Sequence, residues 1–301
     1  MSDFTVRPFA RPDRDGLTAL VNAHVAAVVP GASVSTATLL AQLEREPREP
    51  VEDPWVVDRA TLVVEADRRL VGAAHLQRFS PDDAAPAGLR GVGAIRWLVF
   101  EPGGPDAGRG LLEACVRVAR AWGSRVVGAD GTLPVPGVYG VPEQWPHVLD
   151  ALRDAGFASD GRVETVWLAP VSVLPEPGPA PLPGLSAVRA VGVQGVRFSA
   201  VLVGRTIGFV ELDTTLDAGS QRPRNGGLAD IGNLWVEAGF RRRGVARWLL
   251  GTGAEWLRLG EVGRLLAYTL PPEHGGDDAE PPFLSGCGFR PLTRTVRDLT
   301  L

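Results

Sequence analysis

The stretch NLWVEAGFRRRGVARWLL, Asn233–Leu250, decides how the rest of the chain is read. Leu234, Trp235 and Val236 close an apolar run from Ile231 that has the length and residue types of a strand. The loop that follows holds three consecutive arginines and two glycines. Beyond it Val245, Trp248, Leu249, Thr252 and Trp256 recur at the spacing of one helix face. A strand end, a donor-rich loop and a helix start in succession suit an anion. The first N–H groups of a helix have no partner inside it, and the helix dipole adds partial positive charge there. Gly244 and Ala246 are small enough to let phosphate oxygens reach the main chain, including the N–H of Val245. Arg241, Arg242, Arg243 and Arg247 supply cationic donors around it.

Composition narrows the chemistry further. The formal charge of −4 arises from 31 basic and 35 acidic residues in mixture, which gives no broad cationic field for a nucleic-acid backbone. Every basic residue is arginine, a pattern that matches codon bias in a GC-rich genome. Without lysine the chain cannot build a Walker-type phosphate loop, a Schiff base or a lysine general base. Cys115 and Cys287 match no metal-ligand spacing, so the expectation is no metal and a reducing, cytoplasmic setting. The opening residues MSDFTVRPFARPDRDG lack a signal core, and no apolar run is long enough to cross a bilayer.

Working outward, the pattern predicts a strand at Phe4–Phe9, a helix carrying Leu17, Leu20, Val21 and Val25, and a second helix from Ser35 through Glu46. A hairpin follows, Ala60–Glu65 with Leu70–Phe79, then a strand at Ala94–Phe100. Leu112, Cys115, Val116, Ala119 and Trp122 form a helical stripe, and a helix at Pro146–Asp154 precedes a strand through Val163–Leu168. After the proline-rich PEPGPAPLP, Pro175–Pro183, the order repeats. There is a hairpin of Val196–Val201 and Thr206–Leu212, then the Asn233–Leu250 unit, then a strand at Leu265–Thr269. Trp97-Leu98-Val99 pairs with Leu234-Trp235-Val236, and Ala155-Gly156-Phe157 with Cys287-Gly288-Phe289. The expected architecture is therefore α+β (mixed α/β), with two tandem domains at 1–174 and 184–301 joined by a linker at 175–183. The second copy lacks an evident counterpart of the first strand and helices.

Arg241-x-x-Gly244-x-Ala246 resembles the coenzyme A pyrophosphate loop, Arg/Gln-x-x-Gly-x-Gly/Ala, of the GNAT superfamily of N-acetyltransferases. The strand ending at Val236, the amphipathic helix and the Gly288-Phe289 turn resemble the same family's plan. The resemblance implies two GNAT-like domains, each a mostly antiparallel sheet flanked by helices, with acetyl-CoA as acyl donor at the second. It also implies that main-chain groups of Leu234, Trp235 and Val236 hold the pantetheine arm, and that an amine attacks the thioester directly. No nucleophilic triad is assembled by the sequence. His24, His75, His147 and His274 are scattered and read as structural or surface groups. Asp230 is the first positional match to the family's strand carboxylate, the general base, and Glu211 the second. Where the family commonly places a tyrosine acid the chain has Leu284, so Tyr268 is the substitute.

In the first copy the loop EPGGPDAGRGLL, Glu101–Leu112, holds one basic residue, Arg109, and Asp106 where phosphate would be repelled. It is expected to bind coenzyme A poorly, while Gly137–His147 offers aromatic and polar groups to an acceptor pocket. The functional expectation is an acyl-CoA-dependent N-acyltransferase, acetyl-transferring, acting on a small-molecule or peptide amine. The chain would work as monomer or homodimer, with neither nucleic acid nor membrane as partner. The alternative is a coenzyme A-binding module without transfer chemistry, motivated by Leu284.

Overall fold

A computed structural model describes residues 4–43, 55–83, 85–129, 137–214, 227–270 and 282–301. His274 lies outside the described residues, as does the end of the helix expected through Glu46. The chain forms two compact units, one of Met1–Glu164 with Thr293–Leu301 and one of Thr165–Leu292.

In the first unit the strands β1 (Thr5–Pro8), β2 (Val56–Ala66), β3 (Arg69–Phe79), β4 (Gly93–Phe100) and β5 (Val127–Ala129) lie side by side in chain order. The neighbours are antiparallel except β4 and β5, which run parallel. Asp67 and Arg68, at φ 49° and 60°, make the tight turn between β2 and β3. Helices α1 (Arg14–Val28) and α2 (Thr36–Leu43) pack against β2, β3 and β4. Helix α3 (Pro105–Ala121) buries Leu111, Leu112, Cys115 and Ala119 on β2, β3 and β4. The short β6 (Val141–Pro142) and helix α4 (Pro146–Asp154) follow. The C-terminal segment Thr293–Leu301 belongs to this unit. Thr295 and Val296 of β13 (Arg290–Val296) pair with β6, and β14 (Leu299–Thr300) pairs with β5.

The second unit repeats the plan. Its sheet runs β7 (Val163–Pro170), β12 (Val262–Thr269), β11 (Gly227–Val236), β10 (Arg205–Asp213), β9 (Val196–Leu202), β8 (Leu185–Val191). Only β11 and β12 are parallel. Helix α5 (Val245–Leu259) buries Val245, Leu249, Leu250, Ala254 and Leu257 against this sheet, and the short α6 (Pro282–Gly286) precedes the Gly288-Phe289 turn. Strand β8 occupies the edge that β1 holds in the first unit, so the second copy has a first strand, one that periodicity did not mark. Helices are what it lacks, since a short turn alone joins β8 to β9.

The proline-rich stretch at 175–183 has no regular structure, as its composition predicts, yet it does not divide the compact units. It packs on α5. The carbonyl of Glu176 lies so close to Gly251 that a Cβ there would come within 2.8 Å of it, and Leu182 is buried in the unit's core. Proline fixes the chain extended, and extended chain is equally suited to lying along a helix.

Register corrects the repeat. Gly72 faces Phe100 in the first unit and Gly208 faces Val236 in the second, and both pairings skip one residue, Arg96 and Gly232 respectively. Trp97 therefore corresponds to Asn233 and Val99 to Trp235, one residue out of step with the match read from the sequence. The match read from the sequence put Val99 on Val236, and only the hydrogen-bond pairing of each strand with its neighbour shows that Phe100 holds that place.

Candidate active site in the second unit

The site is built on the opening between β11 and β12. Their parallel pairing ends at Asp230↔Leu266, after which β11 continues through Ile231 to Val236 beside β10. Beyond Val236 the chain turns through Glu237–Gly244, where Arg242 and Gly244 hold left-handed conformations at φ 60° and 83°. Gly244 can do so without strain. The N–H groups of Arg242, Arg243 and Gly244 find no carbonyl partner among the described residues, and those of Val245, Ala246 and Arg247 open α5, where none exists within the helix. Side chains divide in role. Val245 is buried in the core, Ala246 is half-buried, and Arg241, Arg242 and Arg243 are exposed with no carboxylate partner among the described residues. Arg241 also donates through Nε to the Val236 carbonyl, 2.9 Å, which pins the loop to the strand end. The guanidinium of Arg247 donates to the Gly286 carbonyl at 2.7 Å and ties α5 to the Gly-Phe turn.

Asp230 is 7% exposed. Tyr268, on the end of β12 that has parted from β11 and stays paired to β7, donates its hydroxyl to Asp230 Oδ2 at 3.1 Å, while Oδ1 is buried with no partner among the described residues. Burial raises the Asp230 carboxyl to a pKa of about 6, the Tyr268 hydrogen bond pulls it down, and Asp213 on the facing strand pushes it up again. The structure thus joins two of the three residues expected to be catalytic. Glu211 goes elsewhere. Its Oε1 accepts from the Arg197 guanidinium at 2.7 Å and from the Val193 N–H at 2.9 Å. Burial opposes its charge, but these bonds outweigh burial and hold its pKa below the usual value. These bonds tie it to Arg197 and to the Val193 main chain.

Leu284 is 7% exposed and its carbonyl accepts from Phe289 N at 3.1 Å, so this position anchors the Gly288 turn. Leu152 does the same for Phe157 in the first unit, at 3.0 Å. Of the histidines, His75 is stacked near Trp97 and its pKa is pushed to about 3 by burial and nearby Arg59 and Arg96, so it stays neutral. His24 and His147 both point Nε2 at the Phe100 carbonyl, at 3.1 and 2.9 Å. Among the described residues no group of three or more His, Cys, Asp or Glu is placed to hold a metal, and no helix is long and apolar enough to cross a membrane.

This arrangement is the tandem GNAT fold, and comparison with solved structures agrees. The chain superposes on a tandem GNAT protein from the clavulanic acid biosynthesis pathway with a TM-score of 0.62 at 18% identity, covering 99% of this chain and 98% of that one. It superposes on a GCN5-related N-acetyltransferase from Sphaerobacter thermophilus with 0.59 at 15%, covering 99% and 94%. A glucosamine N-acetyltransferase region in a fungal multi-domain GH3 β-N-acetylglucosaminidase gives 0.63 at 15%, covering all of this chain and 38% of that protein. No protein-family model matches the sequence, and no curated protein is significantly similar to it.

Proposed function

We propose that the second unit transfers an acyl group, acetyl in the first instance, from acyl-CoA to a small-molecule or peptide amine. One observation carries this reading: the left-handed turn at Gly244 offers N–H groups without a carbonyl partner among the described residues, and three exposed arginines without a carboxylate partner there, at the end of the same strand that buries Asp230. Such a turn fits a diphosphate by charge and by donor number. The strand between the two, bare of β12 along Ile231–Val236, supports a pantetheine arm lying against its main chain.

An attacking amine must first shed the proton of its ammonium form. Asp230, whose Oδ1 has no partner among the described residues, takes that proton directly or through water. The C–N bond then forms at the thioester carbon, the C–S bond breaks, and the thiolate draws its proton from solvent. Tyr268 already donates its hydroxyl to Asp230. We therefore assign it to holding the base rather than to protonating the thiolate.

The rival is a coenzyme A-binding module without chemistry, favoured by the apolar Leu284 where the related enzymes commonly carry an acid. Release of free thiol from acetyl-CoA across a panel of amines separates the two. Release that is amine-dependent and lost in Asp230→Asn supports transfer, and tight coenzyme A binding with no release across the panel supports the module.

A further inference from the structure

The first unit contains a groove of about 740 Å³ between α3 and α4, within the size range of small-ligand sites. Leu112 and Val116 of α3 and Ala151 of α4 line it with apolar surface. Carboxylates dominate its charged groups: Asp106, Glu113, Asp150 and Asp154 against Arg109 and Arg117. Arg109 is bonded to Asp106, and Arg153 lies 3.9 Å from Asp150. Glu113 and Asp154 have no ion pair among the described residues.

His147 lies at one end of the groove and fixes its polarity. Its Nε2 donates to the Phe100 carbonyl at 2.9 Å, so in the neutral ring Nδ1 carries the lone pair. Burial lowers the His147 pKa, although the Phe100 bond and Asp150 act the other way, which keeps that lone pair available. An apolar floor and an excess of fixed negative charge together select a ligand with an apolar body and a cationic head group.

We propose that the groove between α3 and α4 is a binding site for an amphiphilic amine, whose ammonium group lies among Glu113, Asp150 and Asp154. The site is separate from the transfer site of the second unit and does not depend on it.

The test is calorimetric titration of the whole chain with 2-phenylethylamine, its neutral analogue 2-phenylethanol and the anion phenylacetate. The amine binds at least tenfold more tightly than the alcohol, and phenylacetate gives no saturation. The double variant Asp150→Asn/Asp154→Asn, altered at exposed helix positions, weakens the amine at least tenfold with an unchanged circular dichroism spectrum, whereas Asp230→Asn leaves it unaltered. Equal binding of amine and alcohol, or no binding by any of the three, overturns the proposal. Loss of amine binding in Asp230→Asn with none in the double variant does so too, and places the amine at the transfer site instead. Transfer activity is a separate readout, so an inactive second unit leaves the outcome at this groove unaffected.

Discussion

Two junctions built on one plan, β4 to α3 and β11 to α5, end with opposite chemistry. Four residues, Glu101–Gly104, join the first pair of elements, and eight, Glu237–Gly244, join the second. The extra residues are the ones that bear the arginines and the left-handed glycine. In the first junction Pro105 already begins the helix, so Asp106 and Arg109 sit on its opening turn and bond to each other. Phe100 seats its ring against Gly108, where a Cβ would come within 2.5 Å of it. The comparison extends along the strands. Asp230 corresponds to Ala94 and Glu211 to the neutral His75. Val99, fully buried in the unit that has α1 and α2, corresponds to Trp235, 40% exposed in the unit without them. The first copy has neither the longer loop nor a carboxylate at the place of Asp230, so it lacks both the proposed anion site and the proposed base, while the sheet is common to both.

The comparison breaks most decisively at the base. Asp230→Asn keeps the shape and removes the proton acceptor, and kcat for thiol release falls about a thousandfold. An activity unchanged by this substitution would assign the proton to another group. Next in size, Arg241→Ala with Gly244→Ala removes a charge-assisted donor and strains a left-handed turn, weakening acetyl-CoA binding about a hundredfold by calorimetry.

Tyr268→Phe gives a smaller effect with a definite sign. A carboxylate acting as base is competent above its pKa, so the rate falls as pH drops through about 6. The Tyr268 bond lowers that pKa, hence its loss moves the acid limb of the pH–rate profile to higher pH with KM for acetyl-CoA unchanged. An acid limb that stays in place, with the loss confined to the alkaline side, would make Tyr268 a proton donor instead. Smallest of all, Gly103→Ala with Asp106→Ala in the first junction changes acetyl-CoA affinity less than about threefold, because that junction lacks the arginine cluster and sets Asp106 on its opening turn. A loss equal to that at Arg241 and Gly244 would reveal a second working site.

Much of this was legible in the sequence because it is written locally. A helix stripe such as Val245, Leu249 and Leu250 shows in the spacing of apolar side chains, and a loop of arginines before a glycine shows in consecutive letters. The repeat, the α+β plan and the candidate anion site all rest on such patterns. What sequence could not determine depends on pairings between residues distant along the chain. Tyr268 meets Asp230 across 38 positions, Arg197 on the neighbouring strand neutralises Glu211, and Arg247 reaches the Gly286 carbonyl across 39. A carboxylate becomes a base or a salt-bridge partner according to its neighbours and its burial. Those are set when strands align, bulge and separate, so only the tertiary structure distinguishes Asp230 from Glu211.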